Sequence, residues 1–400
     1  MSVLFDIAVV GGGVTGLTAA ALAARNGARV VVVAAEFDPT PALGPIDQRT
    51  YAITPASARI LHAAGAWPLL DSTRIGEFDA MTVWDAGSRG HIDFLPPPLH
   101  DGPMGWIIER SNLVAALGRA LATAAVPVRR VTVEGLAGLE PAGLALGDGT
   151  RLEARLVIAA DGIDSVLRGA AGIDWQHDSF GQRALVANVL TALPHQRRAR
   201  QRFLSSGPLA LLPLAEPCAV SIVWSCTEPR AAALEAMDDD RFMSELAIAS
   251  EHCLGNILSV SPRAGFALGQ ARASRLVAGN VVLVGDAAHV VHPLAGQGLN
   301  LGLLDVAALV ECIGAAGGAR WPRPSALRHY ERWRQSEAQA LRLATDGLNR
   351  LFLRQEAPLR WLRGTGFRLT DACRPLKHWF SDQAMGNSGD LPLVARAVGR

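Results

Sequence analysis

Six residues near the start of the chain constrain its fold more than any others. Gly11-Gly12-Gly13-Val14-Thr15-Gly16 spells G-x-G-x-x-G between an apolar run (residues 4–10) and a small-residue stretch (14–26) closed by Gly27. That order predicts a strand, a tight turn and a helix, with residues 29–35 as a second buried strand. Gly11 permits the turn, Gly13 lets a pyrophosphate approach the backbone, and Gly16 packs helix on strand. Val14 and Thr15 open the helix, whose unpaired N–H groups would receive the phosphates. Glu36 ends the second strand at the offset of about 20 residues where an acid meets a ribose. Its charge would repel a 2′-phosphate, which leaves FAD or NAD rather than NADP.

A chain of 400 residues, half of them apolar and 19% charged, can bury a large core. The formal net charge of +1 supplies no global field for nucleic acid, which is not an expected partner. Five cysteines without a C-x-x-C or Cys/His cluster argue against a zinc site or a disulfide framework and fit a reducing compartment. The N-terminus lacks the pattern of a secretory signal, and no apolar run approaches the roughly 20 residues of a spanning helix. The expected location is cytoplasmic, with peripheral contact on the inner face of the membrane left open.

Further along, Thr54-Pro55 predicts a capped helix start, and Ser111 is expected to cap a helix over 112–123. Asp148-Gly149 predicts a hairpin, followed by a separate apolar strand over 156–160. Residues 180–225 are expected to form a second β-sheet outside the nucleotide-binding domain. Asp238-Asp239-Asp240 is expected to cap a helix rather than bind a cation. Residues 320–377 carry 13 basic and 5 acidic residues with interspersed aromatics, either a solvated helical face or a membrane contact.

A second cluster separates FAD from NAD. Gly285-Asp286-Ala287-Ala288-His289 follows the apolar strand 281–284, and Pro293-Leu294-Ala295-Gly296-Gln297-Gly298-Leu299-Asn300 opens a helix. Asp286 can accept hydrogen bonds from a polyol, while Gly296 and Gly298 leave room for a flat ring. The helix start would favour negative charge on a reduced flavin. His289 and His292 lack the partners of a metal site, and none is expected.

These motifs resemble the flavin-dependent aromatic hydroxylases of the para-hydroxybenzoate hydroxylase type, closest to the ubiquinone-biosynthesis hydroxylases. Residues 285–300, continuing to Asp305, are similar to that group's signature, with Leu304 where relatives often carry arginine. Asp161-Gly162 resembles the family's Asp-Gly motif, and Arg49 and Arg110 match its flavin-contacting arginines. Residues 384–392 also look like the ending of a ubiquinone hydroxylase. The resemblance implies a Rossmann-like α/β FAD-binding domain of the glutathione-reductase βαβ type. An inserted mixed β-sheet substrate domain and C-terminal helices would complete the fold. The expected division is FAD-binding over 1–75, 97–178 and 270–350, substrate-binding over 76–96 and 179–269, and a helical segment over 351–400.

The implied reaction is ring hydroxylation of a prenylated phenol by a flavin C4a-hydroperoxide, formed from O2 after reduction by NAD(P)H. That explains the absence of a catalytic triad, since the flavin carries the hard step. The flavin-ring loop would include Pro293, Gly296 and Gly298, and no protein side chain is assigned as the catalytic residue. Trp224 and Phe266 are candidates to line the substrate pocket. Contact with other ubiquinone-biosynthesis proteins is also implied. Two alternatives stay open: a hydroxylase of a small soluble aromatic, anchored by Arg183 or Arg197-Arg198, and a flavoprotein member of a complex without turnover.

Overall fold

Val30–Val33 is four valines in a row, all buried, the mark of a strand covered on both faces. The computed structural model describes residues 5–41, 44–88, 90–95, 102–291, 297–315, 321–353, 385–386 and 388–397. The chain opens with β1 (Phe5–Val10), α1 (Val14–Arg25), β2 (Val30–Val33), β3 (Thr50–Ile53) and α2 (Pro55–Ala63). Next come β4 (Ile75–Phe78), β5 (Ala80–Asp85), β6 (His91–Phe94), β7 (Gly105–Glu109) and α3 (Arg110–Thr123). Then follow β8 (Val128–Arg129), β9 (Val133–Leu139), β10 (Ala142–Leu146), β11 (Arg151–Ala159), α4 (Val166–Ala170) and β12 (Trp175–Thr191). β13 (Arg198–Leu204), β14 (Gly207–Pro213) and β15 (Ala219–Thr227) lead to α5 (Glu228–Glu235) and α6 (Asp239–Ala249). β16 (Ile257–Val260), β17 (Ala264–Ala273), β18 (Val277–Ala278), β19 (Val281–Leu283) and β20 (His289–Val290) precede α7 (Gln297–Ile313) and α8 (Pro324–Leu353).

The first sheet runs β18-β19-β11-β1-β2-β8, with β10 and β9 attached through β11. Strands β19, β11, β1, β2 and β8 are parallel neighbours. The chain moves from β1 to β2 on one side and returns to β11 on the other, so the order reverses at β1. In such sheets ligands bind at the carboxyl ends of the strands, at the reversal. Val10 pairs with both Val33 and Ala159, and Ala159 with Leu283, so four strand ends lie level.

The second sheet has nine strands in the order β20-β17-β12-β15-β14-β13-β5-β6, with β16 added to β12. It is wider than residues 180–225, because β5, β6, β16, β17 and β20 join from outside that span. Its 17-residue strand β12 begins at Trp175 beside the first sheet's loops. A bulge interrupts β12 between Ser179 and Gln182, where Gly181 has φ +61°. Helices α5 and α6 cover one face of this sheet and build a core from Leu185, Ile222, Trp224, Phe242 and Leu246. A three-stranded sheet, β3-β7-β4, completes the fold.

Local expectations fared differently. The Thr54 hydroxyl accepts from Ser57 N and caps α2, and Asp238 accepts from Arg241 N and caps α6. Ser111 caps nothing: β7 runs straight into α3, which starts at Arg110, and the Ser111 hydroxyl is buried without a partner. Asp148-Gly149 does turn a hairpin, with Gly149 at φ +79°. Its second arm is not separate from the apolar strand, since Arg151–Ala159 is one strand whose first half pairs with β10.

Candidate functional site

Each of the four level strand ends delivers one of the sequence motifs. Glu36 follows β2, Gly11 follows β1, Asp161 follows β11, and Gly285-Asp286 follows β19. Strands about 4.8 Å apart put these positions across roughly 14 Å, the reach of one extended ligand.

The glycines divide by role. A Cβ on Gly11, where φ is +128°, would lie 2.2 Å from Ala160 O, and one on Gly16 would lie 2.4 Å from Gly11 O. A Cβ on Gly13 would meet nothing within 4 Å. Gly11 and Gly16 therefore serve packing, and Gly13 borders open space. Gly13 is also the N-cap of α1 and brings no side-chain cap, so the first-turn N–H groups remain available to a ligand. Val14 is buried in the core, while a Cβ on Gly285 would lie 3.0 Å from Thr15 Cγ2, so Thr15 spaces α1 from the second motif.

Arg49 and Arg110 are brought together by the β3–β7 pairing, extended by the bond from Arg110 N to Arg49 O at 2.9 Å. Neither is in an ion pair among the described residues. Two like charges side by side favour an anion between or near them. Their strands are fixed from behind by Glu109, buried and bound by Arg74 Nε at 2.8 Å and Nη2 at 2.7 Å. Glu109 also accepts from Asp47 N at 2.6 Å. Gly12, Glu36, Phe37, Arg110 and Val114 line a cavity of about 260 Å³ at one end of the cleft. A larger cavity of about 350 Å³, on the far flank of α3 around Leu70 and Arg119, touches none of the motifs.

At the other end stands Asp286. Solvent reaches it along the cleft, yet protein surrounds it closely, and this crowding raises its pKa; His289 and Arg49 pull the other way. Tyr51 lies between Arg49 and Asp286, and burial pushes its phenol up. Asp161 accepts from Leu167 N through Oδ2 at 3.2 Å, while its Oδ1 is buried without a partner. Gly162, at φ +85°, completes that turn. Arg168, which the sequence did not single out, ties the two loops. It donates to Ile163 O at 2.8 Å and to Ala287 O at 3.2 Å, and stacks 3.7 Å from the Trp175 ring.

Asn300 was expected at the cofactor, but its amide is engaged elsewhere. Its Oδ1 accepts from Thr54 N at 3.1 Å, and its Nδ2 donates to Ala52 O at 2.8 Å. It joins the start of α7 to β3 and α2. Gly298 and Leu299, in the same turn, are partly exposed. Pro293, Gly296 and His292 lie outside the described residues.

The second sheet presents a front face toward this cleft. Asn188 Nδ2 donates to Ile46 O and Asp47 O, and Thr50 Oγ1 meets Ser221 Oγ at 3.0 Å. Residues paired with these across the ladder share that face: Val186 with Val223 and Ala264, Ala184 with Phe266, Ala210 with Val223. Trp224 has the opposite parity. It pairs with Leu185 and Leu209, is 1% exposed, and packs 6.2 Å from Phe242. The assignment of Trp224 to the substrate pocket is thus corrected: it fills the rear core. Phe266 is 47% exposed on the front.

The three arginines considered as anion anchors are all committed elsewhere. Arg183 pairs with Glu235 of α5 at 3.1 Å, Arg197 with Glu77 and Asp79, and Arg198 with Asp93 at 2.7 Å.

Comparison with known proteins decides the family. The FAD binding domain family matches residues 5–344. Ubiquinone hydroxylase UbiL of Rhodospirillum rubrum is 36% identical over 404 residues, covering 98% of this chain and 93% of that one. The human mitochondrial ubiquinone biosynthesis monooxygenase COQ6 is 33% identical, covering 94% and 91%. The chain belongs to this family of FAD-dependent monooxygenases. Two solved structures share the flavoprotein's fold. p-Nitrophenol 4-monooxygenase PnpA from Pseudomonas putida has TM-score 0.77 at 19% identity, covering 98% of this chain and 100% of that one. PqsL from P. aeruginosa, in complex with 2-aminobenzoylacetate, has TM-score 0.76 at 24% identity, covering 92% and 100%.

FAD fits the cleft of this flavoprotein. The open side of Gly13, the uncapped start of α1, the Arg49–Arg110 couple without an ion pair among the described residues, and the orphaned Asp161 oxygen all call for a long, anionic, hydroxyl-bearing molecule.

Proposed function

We propose that this chain is an FAD-dependent monooxygenase that hydroxylates the aromatic ring of a prenylated phenol in ubiquinone biosynthesis. FAD, when bound, supplies the oxygen chemistry: reduced by an external donor such as NAD(P)H, it activates O2 and passes one atom to the ring. The protein binds, orients and excludes water. The α1 start with Gly13 would hold the pyrophosphate, Glu36 the adenosine ribose, Arg49 and Arg110 the anionic portion, and Asp286 the ribitol hydroxyls. Asp161-Gly162 would hold the middle of the molecule. The partial positive charge of the α7 start, at Gln297 and Gly298, would favour negative charge on the reduced ring.

The observation that favours a prenylated substrate over a small carboxylated aromatic is the chemistry of the second sheet's front face. Val186, Ala210, Leu212, Val223, Ala264 and Phe266 supply apolar surface there, and the polar groups among them, Asn188 and Ser221, are neutral. Arg183 and Arg198 share the parity of the rear face and pair with Glu235 and Asp93, so neither offers a counter-charge to a carboxylate on the front.

No described helix is long and apolar enough to cross a membrane. A lipid-borne substrate would be met at the membrane surface; of the basic stretch 320–377 that would favour such contact, residues 321–353 are described and residues 354–377 lie outside the described residues. The test is turnover by the purified, FAD-loaded protein with paired substrates, one prenylated phenol and one carboxylated phenol. Hydroxylated product from the first and little from the second is expected. Preference for the carboxylated phenol, or an unchanged quinone pool in a deletion strain, overturns the reading.

A further inference from the structure

Asp305 lies on α7 and is fully buried. Three groups converge on its carboxylate. Gly285 N donates to Oδ2 at 3.1 Å, and Arg334 Nε of α8 donates to Oδ1 at 2.8 Å. His289 Nε2 stands 2.7 Å from Oδ2. Gly285 and His289 are the two ends of a five-residue stretch, and the one acid between them is Asp286.

The rest of that stretch is held as firmly. Gly285 takes φ +60°, a conformation that L side chains rarely adopt, against Thr15. Tyr330, four residues before Arg334 and so on the same face of α8, donates to Leu283 O at 2.8 Å. Burial alone would raise the Asp305 pKa, but His289 and Arg334 outweigh it and hold the carboxyl low. A buried ion pair of this kind is weak support for stability, because apolar residues of similar volume pack as well or better. Its placement behind the cofactor loop gives it another use.

We propose that Asp305 is a positioning residue for Asp286. One carboxylate staples both ends of the 285–289 stretch and so fixes the direction in which Asp286 enters the cofactor cleft, with Arg334 as its buried counter-charge. This rests on Asp286 as a cofactor ligand. Cofactor affinity then depends on an arginine of α8 that is itself buried in the core.

Removing Asp305 alone strands Arg334, so the informative variant removes both charges: Asp305→Leu with Arg334→Met. His289→Ala, which leaves the Asp305–Arg334 pair intact and removes the side-chain tie at one end of the stretch while its backbone stays paired with β17, is the second variant. The measurements are the FAD dissociation constant of each full-length apoprotein by fluorescence titration, the visible circular dichroism of bound FAD, and the unfolding midpoint without FAD. The double variant should unfold near the parental midpoint yet bind FAD at least tenfold more weakly, with an altered flavin dichroism. His289→Ala should weaken binding severalfold. Asp286→Asn runs alongside. If it alone binds FAD like the parent, the reading of Asp286 fails and takes the proposal with it. If Asp286→Asn weakens binding while the double variant and His289→Ala both keep the parental constant and dichroism, the staple is refuted and the cofactor reading stands.

Discussion

Replacing Asn300 by alanine separates a structural joint from a cofactor ligand. The side chain is 2% exposed and spans three segments, accepting from Thr54 N and donating to Ala52 O. Alanine removes these two bonds and leaves the buried Thr54 N–H and the half-buried Ala52 C=O without them. Each such group costs about 1–3 kcal/mol. With partial relaxation the loss comes to about 3 kcal/mol, and it falls on the protein before any cofactor arrives. The assay is chemical unfolding of parent and variant, each with and without saturating FAD. The variant should already be less stable without FAD, by about 3 kcal/mol, with a second decrement when FAD is present. A residue whose work is to hold FAD would give coincident curves for the two apoproteins. Coincident curves would refute the joint.

Two further predictions follow from the geometry. Trp224→Ala should cost about 3–5 kcal/mol of stability, as for large buried aromatics, whereas Phe266→Ala should cost under about 1 kcal/mol, as for a half-exposed side chain, and raise KM for a prenylated phenol; thermal unfolding and steady-state kinetics together check both, and the reverse pattern would show the two faces wrongly assigned. FAD affinity should fall as the pH drops, because an ionised Asp286 accepts more strongly from hydroxyl groups than a protonated one and its crowded site raises its pKa above the usual value of about 3.9; titrations across acidic pH should show parental affinity rising to a plateau above that raised pKa and a flat profile for Asp286→Asn, while a flat parental profile would remove Asp286 from the binding linkage.

What could be read from the sequence was the chemistry that is local. Gly11, Gly13 and Gly16 announce a strand–turn–helix because a turn's conformational demands fall on adjacent residues. The Thr54 and Asp238 caps were legible for the same reason. Trp224 and Phe266 were not distinguishable, since which face a strand residue occupies depends on register with strands distant in sequence: Trp224 pairs with Leu185 and Phe266 with Ala184. Nor could the fates of Arg183, Arg197 and Arg198 be read, because their acidic partners Glu235, Glu77, Asp79 and Asp93 come from other segments. Ser111 misled because a good capping residue two positions late cannot compete with a strand that turns directly into a helix. Asn300 and Asp305 carry no local sign that one is a joint and the other a buried charge.

The alternation along β14, β15 and the part of β12 beyond its bulge means that neighbouring residues answer to different requirements. Leu185, Leu211 and Trp224 are held by the helices behind them, while Val186, Ala210, Leu212 and Val223 meet whatever enters in front. The specificity of this sheet can therefore drift or be redesigned one position in two, with neither the scaffold behind it nor the nucleotide grip beside it being asked to change.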